Sequence, residues 1–291
     1  MGFKTILKVN KARKLIRVGQ NKEAIRLYEE AISEGLNDPR ANLEYATLII
    51  RKGEYQKAKD FLVDHQKTPG MTQDQRIRLL VNYAACCLQL GMPEKGIGVL
   101  ERQIKKTETG LLYQTLGYLY VVKYDAARKE AFLAEYQPAP RETEPAENAA
   151  ETAQEPGAQE PNAGDGTAPA QEPALSGEEA WEAGAQMTEE FIRKSIDYDE
   201  EDSICLDNMG QYYYRVRCDK AAAKPWFEKA LAIKDNQIDT LYFLSRYDEE
   251  AGDRKAALEK LEKAAIGRFS PLNYCSRETV EKEIIRLKEA E

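Results

Sequence analysis

Apolar residues in this chain recur at intervals of three and four, the spacing that lays one side of a helix against a core. Gly110 to Lys123 is one such stretch, and Thr188 to Tyr198, with Phe191, Ile192 and Ile196 on one face, is another. The turns between the helical stretches repeat as well. Leu15-x3-Gly19-x4-Ala24-x3-Tyr28-x2-Ala31 returns as Ile49-x3-Gly53-x4-Ala58-x3-Leu62, displaced by 34 residues at every shared position. A third copy reads Tyr83-Ala84-x2-Cys87-x3-Gly91-x4-Gly96-x3-Leu100, and a fourth opens with Leu116-Gly117-x2-Tyr120. Further on, Met209-Gly210-x2-Tyr213 and Ala223-x3-Phe227-x2-Ala230 precede Leu244, Gly252, Ala257, Leu261 and Ala264, and Ala223 to Ala257 is again 34.

Each unit predicts a helical hairpin. Small residues allow the two helices to cross closely, a glycine permits the tight turn, and large apolar residues such as Tyr45, Ile49, Tyr83, Leu116 and Tyr120 fill the space between hairpins. One hairpin cannot bury both faces, so the units must stack. A 34-residue helical-hairpin period of this kind resembles the tetratricopeptide family. That resemblance implies an all-α, right-handed superhelical solenoid of about six hairpins. Tyr124 stands where the fourth unit would have its turn glycine, and the family's Trp and inter-repeat Pro are mostly missing.

The repeats are interrupted. Residues 137–178 hold seven prolines, three Gln-Glu-Pro triplets and one large apolar residue, Leu175. Such a segment cannot repay the roughly 1–2 kcal/mol per residue of backbone ordering, so disorder is predicted, with a coil span on the order of 35 Å. The chain thus divides into N-terminal repeats at 1–136, the insertion at 137–178, a returning helix and further repeats at 179–270, and a cap at 271–291. Gly110 to Lys123 reads as the first helix of a hairpin and Thr188 to Tyr198 as a second, so the insertion is expected inside the fourth hairpin. Two solenoids joined by a linker is the rival arrangement. Helices are expected at Ala126 to Tyr136 and at Glu179 to Ala185, the latter with a Ser176/Glu179 capping box. Ala183-Gly184-Ala185 offers a break, after which Thr188 would cap the returning helix. Arg277 to Lys288, with Val280, Ile284 and Leu287 on one side, predicts a terminal cap.

Catalysis finds no support. His65, the sole histidine, lies beside Leu62 on a second-helix face, and no glycine-rich phosphate loop is present. Cys86, Cys87, Cys205, Cys218 and Cys275 form no Cys-x-x-Cys pair and have no neighbouring histidine, so packing in a reducing cytoplasm is expected rather than disulfides or zinc. The run Asp197 to Asp202 lacks the glycine and closing glutamate of a calcium loop and reads as a solvated connection. Neither a cofactor nor a metal is implied. The first residues show neither a secretory signal nor a myristoylation motif, with Ile6 where the latter needs Ser or Thr.

Net charge is uneven: +7 over residues 1–136, −8 over 137–178 and −7 over 179–291. In the tetratricopeptide family the first helices line a concave groove for peptides or partner helices. By register, the resemblance puts Arg13 and Arg17 there from the first unit, with Ile6, Val9 and Ile16. The second unit supplies Arg40, Leu43, Thr47, Ile50 and Arg51, the third Arg78, Val81, Ala85, Leu88 and Gln89, and the fourth Gln114, Tyr118 and Val121. An apolar floor with arginines suits an acidic, partly apolar peptide, because a guanidinium pairs a carboxylate through two parallel bonds. The expected function is therefore a protein-interaction scaffold without catalysis. Val9 with Arg13, Leu43 with Thr47 and Val81 with Ala85 replace the polar clamp by which some members hold acidic chaperone tails, so that ligand is not implied. The acidic stretch Glu142 to Glu172 is a candidate to screen the groove from within. The competing reading is polyanion or nucleic-acid binding through Lys4, Lys8, Lys11, Arg13, Lys14 and Arg17, against which stands an overall pI of about 5.2.

Overall fold

The computed structural model describes residues 2–137 and 175–289, and among these there are helices and connecting turns but no strand. Of the predicted insertion, residues 138–174, and with them the screening role of Glu142 to Glu172, lie outside the described residues; Gly177 and Glu178 already belong to the helix that follows. Helices α1 (Phe3–Arg17) and α2 (Asn21–Ser33) make the first hairpin, α3 (Pro39–Arg51) and α4 (Tyr55–His65) the second, α5 (Gln73–Gln89) and α6 (Pro93–Ile104) the third. After α7 (Gly110–Lys123) come a 3-10 turn at Ala126–Arg128 and the short α8 (Lys129–Glu135). Then α9 (Gly177–Tyr198) packs back along α7. Helix α10 (Ser203–Gln211), continued by a π turn at Tyr212–Val216, pairs with α11 (Lys220–Ile233), and α12 (Ile238–Glu250) pairs with α13 (Arg254–Ala265). Last, α14 (Arg277–Glu289) lies on α13 and buries Val280 and Leu287 there. The result is an all-α stack of hairpins with a terminal cap, as the repeat spacing predicts. Among the described residues no helix is long and apolar enough to cross a membrane.

The periodic residues take the places their sizes suggest. Ala24, Ala58, Ala223 and Ala257 are wholly buried at helix crossings. At Gly96 an added Cβ would lie 3.0 Å from the Ala84 Cα, so the helices cross there almost backbone to backbone. Between hairpins sit Tyr28, Ile49, Leu100, Leu116, Tyr120 and Phe227, each fully shielded. Burying a side chain of this size contributes roughly 1.5–3 kcal/mol. Gly19, Gly53, Gly91 and Gly252 close their hairpin turns with φ of +71° to +83°. Cys218, 34 residues before Gly252, takes the same turn position with φ +53°, a conformation costing about 1–2 kcal/mol for a residue with a Cβ.

Two expectations around α9 need correction. A helix at 179–185, a break and a second helix capped by Thr188 were expected; one 22-residue helix replaces all three. The Ser176/Glu179 capping box forms, with Glu179 Oε2 accepting from the Ser176 N–H at 2.7 Å. Thr188 instead lies buried in mid-helix, its hydroxyl donating to the Gly184 carbonyl at 2.7 Å. Gly184 is not a helix breaker but a packing gap, since a Cβ there would fall 2.0–2.4 Å from the Tyr124 ring. That ring is hemmed by Tyr120, Phe132 and Trp181, at centroid distances of 6.2, 6.0 and 5.4 Å. The helix expected over Ala126 to Tyr136 is shorter than predicted, a 3-10 turn followed by seven α-helical residues.

Candidate functional site

First helices of successive hairpins line the inner face, and the front half of that face holds an open depression of about 640 Å³. Arg40, Leu43, Thr47, Arg51, Arg78 and Val81, all expected in a groove, line it together, with Ile16, Gln75, Asn82 and Leu111 completing the floor. Arg13 is not in its lining but bonds Glu44, which is, and Arg17 is exposed at the end of α1. Apolar side chains reach the floor because α3 and α5 turn their remaining apolar stripes to the core, where Tyr45, Ile49, Leu79 and Cys86 are buried.

The basic character is less than the arginine count suggests. Glu44 accepts from Arg13 Nε at 2.8 Å, from Arg40 Nε at 3.1 Å and from the Tyr28 hydroxyl at 2.7 Å. Burial works against the Arg13 charge, but the Glu44 carboxylate more than offsets it and holds the guanidinium above its ordinary range. Arg78 Nε donates to Asp74 at 2.8 Å. Arg51 has no ion-pair partner among the described residues; burial, then the charge of Arg268, lowers its affinity for its proton. Glu44 and Asp74 were absent from the sequence-based site. Their signal was present as the i,i+4 pairs Arg40/Glu44 and Asp74/Arg78.

Gln114 and Tyr118 are not part of this depression. Tyr118 is 5% exposed, and Gln114 Nε2 donates to Asp202 at 2.8 Å. The rear half of the inner face is occupied by the chain itself, the connection between α13 and α14. Leu272 packs into the core built by Leu112, Tyr212 and Val216. The Pro271 carbonyl accepts from Gln89 Nε2 at 2.7 Å, and Tyr274 lies under the Arg215 guanidinium at 4.3 Å. Arg215, aimed inward from the π turn, pairs with Asp125 at 2.8 Å. The buried Asp239 carboxylate holds the connection by accepting from Asn273 Nδ2 at 3.0 Å, the Tyr274 N–H at 2.9 Å and the Cys275 N–H at 3.3 Å. A cavity of about 300 Å³ remains beside it, lined by Gln114, Tyr118, Asp207 and Arg268 among others.

Asp207, 2% exposed, accepts from Thr240 Oγ1 at 2.6 Å and Gln211 Nε2 at 2.7 Å. Burial, followed by the neighbouring Asp239 charge, pushes its carboxyl up to about 7, while Thr240, Gln211 and Arg215 pull the other way. The unfolded chain loses this proton near pH 4 and the folded chain near pH 7. Between those values the native state binds more protons, so this group's stabilisation is full below pH 4 and is lost as pH rises through 7. Asp207→Asn should therefore flatten the stability decline between pH 4 and 7 relative to wild type in urea titrations. Parallel pH profiles for the two proteins would contradict the assignment.

Other chemistry-bearing residues have structural surroundings. His65 stacks on Phe61 at 3.9 Å with Nδ1 2.9 Å from the Phe61 carbonyl. Cys86, Cys87, Cys205 and Cys275 are buried thiols and Cys218 is exposed. Asp202 caps α10 through the Ile204 N–H at 2.8 Å.

No protein-family model matches the sequence, and no curated protein matches it. Solved structures do share its architecture. PilW, described as a widely conserved type IV pilus biogenesis factor, is 12% identical and aligns over 97% of this chain and 100% of its own, with a TM-score of 0.55. Human IFIT1, solved as a dimer with m7Gppp-AAAA, is 12% identical over 99% of this chain, with a TM-score of 0.58; the alignment spans 55% of the IFIT1 chain. A tetratricopeptide repeat protein from Parabacteroides merdae is 13% identical over 99% of this chain and 100% of its own, with a TM-score of 0.48. With its 34-residue period, glycine-closed hairpins and stacked helix pairs, the chain has the tetratricopeptide fold.

Proposed function

We propose that this chain is a protein-interaction scaffold that performs no chemistry and holds an extended, acidic and partly apolar peptide in the front half of its inner groove. The observation that carries the reading is the open depression of about 640 Å³, with Leu43, Val81 and Leu111 on its floor and, on its wall, Arg51, which forms no ion pair among the described residues. Aliphatic side chains of a ligand would sit on that floor, and a carboxylate would pair with Arg51. Self-pairing of Arg13, Arg40 and Arg78 argues against a general polyanion surface, as does the engagement of Lys8 by Glu30 and Glu34 at 3.0 and 2.7 Å. Nucleic acid is accordingly the weaker candidate. The free thiols suit a cytoplasmic setting.

A peptide-display selection tests this directly. On wild type it should enrich sequences with an aliphatic or aromatic residue within a few positions of Asp or Glu. Val81→Glu, which places a charge on the floor at a half-buried position, should abolish the enrichment. Recovery of the same peptides by both proteins would remove the groove as the site, and enrichment of lysine-rich peptides would reverse the proposed ligand charge.

A further inference from the structure

The rear cavity of about 300 Å³ has a wall and a mouth of opposite character. Tyr118, Asp207, Asn208 and Asp239 build the inner wall, each at most 5% exposed. Asp239 spends its oxygens on the connection between α13 and α14. Asp207 accepts one bond on each oxygen, from Thr240 and Gln211, and since a carboxylate has about four acceptor positions, capacity is left over. Asn208 Nδ2 donates to the Gln114 carbonyl at 3.1 Å, which fixes the orientation of the amide and leaves Oδ1 without a donor among the described residues. The Tyr118 hydroxyl likewise makes no hydrogen bond there, because the Arg215 guanidinium that bears on it is committed to Asp125 and to Gln211 Oε1, at 2.8 and 2.7 Å. Neither atom is sealed in by protein, so both open onto the cavity. Polar atoms on buried residues are paired by protein, water or a ligand, and here protein supplies no pair. At the mouth stand Lys234 and Arg268, both exposed and neither in an ion pair among the described residues, while Ile204, Ile238 and Leu272 supply aliphatic lining.

We propose that the rear cavity binds a small zwitterion, an aliphatic ω-amino acid, with its ammonium on the inner wall at Asp207, Asn208 and Tyr118 and its carboxylate at the mouth beside Arg268 and Lys234. An ammonium carries three donors and no acceptor, and the wall offers it three acceptors. A plain amine would have to pass two cationic side chains, and a plain acid would bring its charge against two buried carboxyl groups. Only a molecule with both charges, one at each end, meets attraction along the whole path. The site is separate from the front groove, since none of its residues lines that depression. Arg268, Leu272 and Asn273 belong to the connection between α13 and α14, so an occupant would also fasten that connection to the helices bearing Tyr118 and Asp207.

Isothermal titration calorimetry of the full chain with the unbranched ω-amino acids from glycine to 6-aminohexanoate tests this, and the length bound most tightly measures the span from wall to mouth. The alkylamine and the alkanoate of matching length should each bind at least about tenfold more weakly than that best probe. Tyr118→Phe removes only a hydroxyl that bonds nothing among the described residues, so the fold should stand while the best probe binds about tenfold more weakly. Asp207→Asn should abolish binding. Arg268→Gln should weaken it about two- to fivefold, because an exposed ion pair contributes little. Lys255→Gln, a charge on α13 whose side chain is 89% exposed, should leave affinity unchanged. Absence of saturable binding by every member of the series would mean that the cavity holds water only and would overturn the proposal. An alkylamine bound as tightly as the best amino acid would overturn the zwitterion in favour of a plain amine. Wild-type affinity in both Tyr118→Phe and Asp207→Asn would place the binding elsewhere on the chain and remove the cavity as its site.

Discussion

Gly184→Ala should destabilise the protein by about 2–3 kcal/mol or more, although alanine is the better helix former by roughly 1 kcal/mol. The reason is the Tyr124 ring, whose Cζ and hydroxyl lie 2.0 and 2.4 Å from where the new methyl would be. Swinging that ring aside would disturb its aromatic neighbours. Trp181 meets it edge-on at 5.4 Å, Phe132 lies at 6.0 Å and Tyr120 at 6.2 Å. Because the clash is between two identified side chains, its energy should be coupled: Tyr124→Leu in the Gly184→Ala background should recover part of the loss. Urea denaturation of the four proteins measures this. Gly184→Ala as stable as wild type, or the two losses simply adding, would mean that Tyr124 does not occupy that gap.

The second large effect is expected at Asp239. Asp239→Ala leaves the Tyr274 and Cys275 N–H groups and the Asn273 amide without their acceptor. The Cys275 N–H is buried and the other two donors are partly so, and a buried orphan costs about 1–3 kcal/mol. Some of that returns, because the Asp207 carboxyl loses a like-charged neighbour. The return is a fraction only, since the Asp207 shift owes more to burial than to Asp239. A net loss of about 2–4 kcal/mol should result. Its local signature is release of the connection from the inner face, seen as faster hydrogen exchange at Tyr274 and Cys275 under native conditions. Unchanged protection at those two amides would show that Leu272 and the Tyr274 stack hold the connection unaided.

How far these features could be read in advance follows from what repeats encode. Ala24 and Ala58, or Gly53 and Gly91, recur because every hairpin has the same crossing and the same turn, so periodicity alone places them. Tyr124 breaks the period, and only the packed structure explains it: the ring fills space that Gly184 opens in a helix 60 residues later. From the sequence, Ala183-Gly184-Ala185 looked like a break because a glycine in a helix lowers local propensity, whereas burial against an aromatic outweighs that cost. Register put Arg40, Leu43, Thr47, Arg51, Arg78 and Val81 on one surface, and they line one depression. Its charge was read too positively, because Arg40/Glu44 and Asp74/Arg78 were counted singly and not as helix-face pairs. Gln114 and Tyr118 lie outside that depression for a different reason. What covers them arrives from residues 266–276, outside any repeat, and a period says nothing about non-repeating segments.

The bond from Gln89 to the Pro271 carbonyl, with Leu272 packed beyond it, joins segments 182 residues apart. A stack of hairpins without such a contact couples each unit only to its neighbours and can stretch or fray like a spring. Here the third turn of the coil is buckled to its far end. The inner face should consequently keep a fixed width under load, and the last hairpins should lose their independence, melting together with the middle of the array instead of ahead of it.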